Sequence, residues 1–453
     1  MSSVTQRKTK ATSAGAGAGI VPKGNSVDIV DTSDTEYVVE DETCGKINFD
    51  NVKTTDRTTV AINAHGDEFT MPELTIKEVL GAIPAECYVR STPRSLSYVA
   101  RDAFFLALFA YIAYNYFPLI PFVSLRVVAW TAYAFVQGLF GTGMWVLAHE
   151  CGHSAFSDSK AVNDFVGWTL HSSLLVPYFS WQISHSKHHK ATGHFARDMV
   201  FVPKTKERFL QRRGWEHLIE ETPASTLYHL VLQQLFGWVM YLLTNASGQK
   251  YPTRSKWVTN HYVPSSPIFD KRDFMRIIYS DIGVGITLFA LYTSIQKWGF
   301  LTVACYYIFP WLWVNHWLVH ITFLQHTDAT LPHYDASHWN FARGALATID
   351  RDFGFIGKHI FHDIIETHVL HHICSRIPFY NGRVGTESLK KVLGKHYRKS
   401  DENFITSLYT VARKCQFVEG EGIKMFRNSN GLGPKPTQDT KEQSPEKNFA
   451  PAI

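Results

Sequence analysis

Three clusters of histidine, each close to a long apolar stretch, constrain this chain more than any other feature. They read His149-Glu-Cys-Gly-His153, His185-Ser-Lys-His188-His189 and His368-Val-Leu-His371-His372. Residues three or four apart lie on the same face of an α-helix, so each cluster can direct its imidazoles toward a common centre. Together the eight side chains exceed the ligands that one tetrahedral ion can use. The clusters therefore predict a site for two metal ions.

Four apolar stretches are long enough to cross a bilayer core of about 30 Å. They form two pairs: Ala103 to Val123 with Val127 to Leu147, and Ile277 to Ile295 with Phe300 to Val319. Each pair has a short connection, which predicts two helical hairpins. Lys and Arg are sparse in the two connections and frequent on the opposite side. By the positive-inside rule, the three clusters and both tails are expected to face the cytosol.

Two further apolar stretches are expected not to cross the membrane. The clusters must lie on one side to share a site, and each crossing needs about twenty residues. The interval from His153 to His185 is too short for two crossings, so Phe165 to Trp181 is predicted to lie at the interface. The chain must also cross the membrane an even number of times between His189 and His368, so one of the three apolar stretches in that interval is expected not to span. Tyr228 to Leu243, which is shorter and more polar, is the one that we expect not to span.

The remaining composition bounds the domain organisation. Polar sequence predicts a disordered cytosolic N-terminal tail over residues 1–75, a membrane domain over 76–427 and a disordered C-terminal tail over 428–453. The six cysteines form no C-x-x-C pair, which argues against an iron–sulfur cluster or a disulfide framework. A net charge of +5 in 453 residues is no signature of nucleic-acid binding, and no nucleic-acid partner is expected.

The clusters and their surroundings resemble the membrane-bound fatty acid desaturases, and more narrowly the fungal and plant oleate Δ12 (ω6) desaturases of the endoplasmic reticulum. The motifs that carry the resemblance are His149-Glu-Cys-Gly-His-Ser-Ala-Phe, His185-Ser-Lys-His-His-Lys-Ala-Thr-Gly-His, Leu324-Gln-His-Thr-Asp and Thr367-His-Val-Leu-His-His. The expected fold is an all-α integral membrane protein. Four transmembrane helices in two hairpins, together with interfacial helices, would carry a cytosolic, histidine-rich helical cap that holds a di-iron site.

The resemblance also implies the metal ligands. Family members hold two non-haem irons through the three clusters and one further histidine that follows the last hairpin, which matches His326 here. The implied ligands are His149, His153, His185, His188, His189, His326, His368, His371 and His372. No catalytic residue beyond them is predicted. His316, His320, His333 and His338 crowd the region of His326, and Glu150, Asp198 and Glu366 are candidates to orient the imidazoles.

The implied chemistry agrees with these ligands. Removing hydrogen from an unactivated methylene requires a strong oxidant, which two ferrous ions can generate from O2 and two electrons, whereas zinc has no redox chemistry. The expected reaction inserts a cis double bond at Δ12 of an oleoyl phospholipid in the endoplasmic reticulum membrane. The chain contains no His-Pro-Gly-Gly haem motif and no dinucleotide fingerprint. The resemblance therefore implies free cytochrome b5 and its NADH-dependent reductase as electron donors.

Several alternatives share parts of this pattern. An ω3 (Δ15) desaturase or an acyl-lipid hydroxylase has the same clusters and differs in channel shape. Outside the family, His149-Glu150-x-x-His153 also fits the H-E-x-x-H motif of zinc proteases, which would leave six clustered histidines unexplained. A metal transporter or sensor is the third class, but transporters place their ligands within the spanning helices.

Overall fold

The computed structural model describes residues 60–211, 222–251, 254–255 and 257–433. Most of the N-terminal tail predicted over residues 1–75, and most of the C-terminal tail predicted over 428–453, lies outside the described residues.

Helices dominate the described part of the chain. They are α1 (Ile76–Gly81), α2 (Thr92–Tyr116), α3 (Val123–Gly152), α4 (Lys160–Ser173), α5 (Tyr178–His189), α6 (Lys206–Gln211), α7 (Pro223–Thr244), α8 (Phe274–Trp298), α9 (Phe300–Val303), α10 (Phe309–His326), α11 (Phe341–Ala345), α12 (His368–Ile373), α13 (Phe379–Leu393) and α14 (Phe404–Lys414). Short 3₁₀ turns occur at Ala85–Tyr88, Phe117–Leu119, Lys271–Asp273 and Gly394–His396, and π turns at Ala304–Ile308 and Ile356–Ile360.

Short strands make the all-α prediction incomplete. They are β1 (Val60–Ile62), β2 (Glu68–Thr70), β3 (Pro332–Tyr334), β4 (Asp350–Arg351), β5 (Lys399–Ser400), β6 (Phe417–Glu419) and β7 (Ile423–Arg427). β1 pairs antiparallel with β2, β7 lies antiparallel between β3 and β6, and β4 pairs parallel with β5. Strands of two to five residues are too short to show the alternation of apolar and polar residues by which a strand is recognised.

The β1–β2 hairpin lies within the segment that was expected to belong to the disordered N-terminal tail. Phe69 is buried against Tyr334 and Met425, which come from the three-stranded sheet. The guanidinium of Arg427 donates a hydrogen bond to the backbone oxygen of Ile62 at 2.8 Å. The folded region therefore extends to the N-terminal side of residue 76.

Three helical segments of the described residues are long and apolar enough to cross a membrane: Thr92–Leu119, Val123–Gly152 and Lys271–Trp298. They contain two of the four predicted spans and most of a third, Ala103 to Val123. The fourth, Phe300 to Val319, lies in α9, the following π turn and α10, where polar residues such as Asn315 and His316 lower the apolar content. Its crossing of the membrane, and with it the four-span topology, remains a prediction.

The connection in the first hairpin lies earlier than expected. The sequence placed it at Ser124 to Arg126, whereas α3 already begins at Val123 and the chain turns between α2 and α3. Pro118 and Pro121 fall in this turn, and proline interrupts a helix because it lacks the backbone N–H and clashes with the preceding turn. In the second hairpin the break is at Gly299, which has a φ of +82°.

The stretch from Phe165 to Trp181 is divided between α4 and α5. Leu175, with a φ of +60°, and Pro177 separate the two helices, and neither helix is long enough to span. The other excluded stretch, Tyr228 to Leu243, lies in the single helix α7, which begins after the N-cap Thr222. It is not among the three candidate spans, and its non-crossing position remains a prediction.

Helix α3 is central to the packing and contacts α2, α4, α5 and α10. Its glycines permit the close approach of α10: a Cβ atom at Gly138 would lie 2.2 Å from the Cβ of Trp313, and one at Gly141 would lie 2.8 Å from a methyl of Val314. This packing places the C-terminal ends of α3 and α10 at the same end of the bundle as α5 and α12.

Candidate metal centre

Four helices bring the predicted ligands together. His149 is in the last turn of α3 and His153 is its C-cap, while His326 is the last residue of α10. The second cluster occupies the end of α5, and the third cluster lies in α12. Helix α5 is tied to α3 by the Gln182 side chain, whose amide donates to the backbone oxygen of Gly152 at 3.0 Å.

The imidazoles form two groups that could each hold a metal ion. In the first group the ligand nitrogens of His149, His153, His185, His189 and His371 lie within 4.8 Å of one another. The second group consists of His188, His326 and His372 by the same criterion. His368 adjoins the second group, because its Nε2 atom lies 3.1 Å from Nε2 of His326. All nine predicted ligands are thus placed in or beside the two groups.

The nitrogens have the chemistry that a metal requires. Buried Nε2 atoms of His371 and His372 have no hydrogen-bond partner among the described residues, although an unsatisfied polar atom is costly to bury. Burial is the main cause that lowers the pKa of His189 and His372 well below 6.5, and repulsion from neighbouring imidazoles adds to it. Neutral imidazole is the form that ligates a metal. The residues present therefore fit a pair of bound metal ions.

Two polar side chains orient imidazoles of the second group. Asp198 is buried, and its Oδ1 lies 2.7 Å from Nδ1 of His188. Burial raises the pKa of Asp198. The attraction of His188 and backbone hydrogen bonds together lower it by more, so the pKa lies below its usual value. The Thr192 hydroxyl lies 3.1 Å from Nδ1 of His372. Each contact engages Nδ1 and leaves Nε2 available to ligate a metal, as in other metal sites.

The other two candidate carboxylates have different partners. Glu150 Oε1 lies 3.6 Å from Nδ1 of His149, and its Oε2 accepts a hydrogen bond from the backbone N–H of Phe379 at 3.0 Å. Glu366 accepts from the backbone N–H of Phe353 at 3.2 Å, and its other oxygen has no partner among the described residues. Of the three carboxylates, Asp198 makes the direct hydrogen bond to a ligand.

The structure also separates His326 from the other histidines of its region. His320 Nε2 lies 3.1 Å from the backbone oxygen of Phe404, and His316 packs against Trp317. His338 Nδ1 lies 2.9 Å from the Ser337 hydroxyl, whereas His333 packs on Phe426. None of these four belongs to either group of histidines in the described part of the chain.

Three contacts that support the clusters were not predicted. The Ser280 hydroxyl accepts hydrogen bonds from the backbone N–H groups of Phe179 and Ser180, at the start of α5. Asp350 accepts from the backbone N–H of Val369 at 2.8 Å, at the start of α12. Trp181 stacks on the imidazole of His185, with 4.6 Å between ring centroids. Ser280 and Asp350 are distant in sequence from the residues they contact, so no spacing pattern indicates them. Trp181 is close to His185, but aromatic residues near a helix end have many other roles.

Removal of metal is expected to make stability depend on pH in the mildly acidic range. Burial and neighbouring imidazoles lower the pKa of five side chains well below 6.5, namely His185, His189, His368, His371 and His372. These side chains take up protons only on unfolding, so stability is full above pH 6.5 and falls as the pH drops below it. One such histidine lowers the free energy of unfolding by about 1.4 kcal/mol at one pH unit below its pKa in the unfolded chain.

The measurement is the thermal unfolding midpoint of chelator-treated protein in detergent, recorded at about pH 7.5 and about pH 5.5. The midpoint should be lower at the acidic pH. Equal midpoints would show that these histidines are accessible to protons in the folded chain.

Comparison with known proteins agrees with this arrangement. The family model described as fatty acid desaturase matches residues 125–402, which is more than half of the chain. The chain belongs to the fatty acid desaturase family. An oleate hydroxylase of Claviceps purpurea is 47% identical over 406 residues, covering 83% of this chain and 85% of the relative. A Δ12 fatty acid desaturase of Mortierella isabellina is 47% identical over 387 residues, covering 83% and 96%.

A third relative is an endoplasmic reticulum ω6 fatty acid desaturase of Glycine max, 42% identical over 365 residues and covering 79% of this chain and 92% of its own. The resemblance stated from the motifs is therefore confirmed, and the protein is a fatty acid desaturase, an oxidoreductase that acts on lipid at a membrane. Membership of this family argues against the zinc protease and the metal transporter. The H-E-x-x-H pattern in α3 is instead part of the five-histidine group.

Proposed function

We propose that this desaturase inserts a cis double bond at Δ12 of oleoyl chains carried on a phospholipid, giving linoleoyl chains. The observation that carries the proposal is the convergence of nine histidines in two adjoining groups, at the place where the apolar helices α3 and α10 end. Relatives named Δ12 and ω6 desaturase support the position of the double bond.

Two non-haem iron ions are the proposed occupants of the two groups. The first would be held by His149, His153, His185, His189 and His371, and the second by His188, His326, His368 and His372. When bound, paired irons supply the oxidant that O2 and two electrons generate, and with it the removal of two hydrogens from the acyl chain. Imidazole ligands suit iron. In this proposal the histidines hold the metals, and the substrate is oxidised at the metals.

The residues of the chain position and protect this chemistry. Asp198 and Thr192 engage Nδ1 of His188 and His372 and leave Nε2 for the metal, so that the ligands need little rearrangement on binding. The rings of Trp145 and Trp181 pack against His149 and exclude water from one side of the site. The apolar helices α2 and α3 lead to this end of the bundle and provide walls for an acyl chain.

The remaining parts of the proposal concern electrons and location. Two electrons per double bond would come from cytochrome b5 and its NADH-dependent reductase, since the chain has no haem or dinucleotide motif of its own. The Glycine max relative is named as an endoplasmic reticulum enzyme, which supports the same membrane here. We place the histidine clusters and both termini on the cytosolic side, where lysine and arginine are frequent.

The test is expression in a host that makes oleate but no linoleate, followed by fatty acid profiling. Linoleate should accumulate, with the new double bond between carbons 12 and 13. Exclusive formation of an ω3 product would overturn the Δ12 assignment.

Hydroxylation of the oleoyl chain is the second candidate. The specific observation in its favour is the oleate hydroxylase of Claviceps purpurea, which is as similar to this chain as the Mortierella desaturase at 47% identity. Both reactions begin with removal of hydrogen from the same chain and use the same ligands. The profile separates them, because accumulation of only a hydroxylated oleate would assign this chain to the hydroxylases.

A further inference from the structure

The turn that precedes the third histidine cluster has an unusual backbone. His362 and Asp363, two consecutive residues with side chains, have φ angles of +55° and +60°. L-residues other than glycine are disfavoured in this left-handed region, and such conformations persist where the surrounding structure enforces them. The turn lies between the π turn Ile356–Ile360 and helix α12, and so determines how the third cluster enters the site.

The first of the two residues is held by a buried carboxylate on another helix. His362 Nε2 lies 2.9 Å from Oδ2 of Asp102 in α2, and both side chains are almost fully buried. Arg101 donates to the other oxygen of Asp102, at 2.9 Å from Nε. The His362 ring packs against Tyr98 and Phe379, which fix its plane.

The second residue is held from a different direction. The carboxylate of Asp363 accepts a hydrogen bond from Nε of Arg383 in α13 at 2.8 Å. Its backbone N–H donates to the oxygen of Gly357 at 3.0 Å, and its backbone oxygen accepts from Thr367 at 3.1 Å. The strained turn is thus enforced at both of its residues by contacts outside the turn.

Helix α3 also meets this point. A Cβ atom at Gly143 would lie 2.6 Å from the backbone oxygen of Ile360 and 2.8 Å from Oδ2 of Asp102. Gly143 precedes His149 of the first cluster by less than two helical turns. The turn before the third cluster, the helix that carries the first cluster and Asp102 on α2 are therefore in direct contact.

An apolar pair could fill this space without burying charge. Burial of a carboxylate beside apolar helices is costly unless it is paired, and loss of one partner leaves the other buried without compensation. The hydrogen bond between Asp102 and His362 is directional and fixes the register between α2 and the turn, and α12 follows this turn directly.

We propose that Asp102 and His362 are positioning residues that set the third histidine cluster against the first and so hold the ligands of both metals in place. This inference rests on the proposed metal-binding function. It assigns a role to two residues that do not themselves ligate the metals, and it predicts that the two act as one unit.

The test measures how fast ferrous iron leaves purified, iron-loaded protein when the chelator ferrozine is added. Asp102→Asn and His362→Asn are each expected to release iron about tenfold faster than the unchanged protein, the lower end of the effect of altering residues that support metal ligands. Asparagine tolerates a left-handed backbone, so His362→Asn removes the hydrogen bond with little added strain in the turn. His359→Asn, an exposed histidine in the preceding π turn, is the matched control and should release iron at the original rate.

Two further variants separate positioning from general loss of stability. The double variant Asp102→Asn/His362→Asn should release iron no faster than either single variant, because the two residues share one interaction. Val411→Ala removes a buried side chain of α14 and provides a destabilised comparator outside the clusters. At equal thermal unfolding midpoints, the Asp102 and His362 variants should release iron faster than this comparator.

The outcomes distinguish this inference from the function on which it rests. Additive effects in the double variant, or release no faster than in Val411→Ala, would overturn the positioning role while iron binding stands. Failure of the unchanged protein to retain iron would instead overturn the proposed di-iron site. Asp102→Asn keeps the shape of the side chain but removes its charge and replaces one acceptor oxygen with an NH2 group, so it tests the role even if His362→Asn does not accumulate.

Discussion

His188→Ala is expected to abolish formation of linoleate. His188 is 1% exposed and belongs to the group that also contains His326 and His372. Its loss removes one ligand and leaves the carboxylate of Asp198 buried without its imidazole partner, which is strongly destabilising for a charge. Altering a residue that only supports a metal ligand lowers activity by up to about a hundredfold. Loss of a ligand itself should lower activity by about a hundredfold or more. The measurement is linoleate per amount of membrane-inserted protein.

A matched control distinguishes this loss from any effect of removing a histidine. His359→Ala removes an exposed imidazole that packs at a tilted angle against Phe355 and belongs to neither group. It should leave linoleate formation close to that of the unchanged protein. Activity of His188→Ala comparable with that of His359→Ala would exclude His188 as a metal ligand.

His326→Ala is expected to lower the iron content from two ions to one per chain and to abolish activity. His326 lies at the end of α10, with its Nε2 3.1 Å from that of His368, whereas the five histidines of the first group come from α3 with its C-cap, α5 and α12. Removing it reduces the ligands of the second group and leaves those of the first unchanged. The proposed reaction uses both irons, so the remaining ion should not support turnover.

The measurement is elemental analysis of the purified protein, normalised to protein concentration. His316→Ala is the control on the same helix, because His316 packs against Trp313 and Trp317 and lies outside both groups. This variant should retain two irons. Retention of two irons by His326→Ala would show that another residue completes the second group.

The sequence predicted which histidines converge better than it predicted the contacts that hold them in place. Residues such as His185 and His189 are four apart, and helical periodicity alone places them on one face. The choice of His326 came from resemblance; in the structure His326 lies in the second group, whereas His316 and His320 have other neighbours. Thr192 is 180 residues from its partner His372, so no local pattern could reveal that contact.

The same contrast holds for the fold. Long apolar runs predicted three helices that are long enough to span, because length and composition are local properties. The turn between α2 and α3 was misplaced, since apolar residues continue through Pro118 and Pro121 and obscure the break. The hairpin that contains Phe69 was missed because its strands are stabilised by a sheet formed far along the chain.

Adjacent residues of the clusters serve different groups. His188 belongs to one group and His189 to the other, and the same division separates His372 from His371. Each of the helices α5 and α12 thus contributes to both groups from neighbouring points on its backbone. A rotation or shift of either helix must displace the two groups together. The spacing between two metals bound in these groups would consequently be a property of the scaffold.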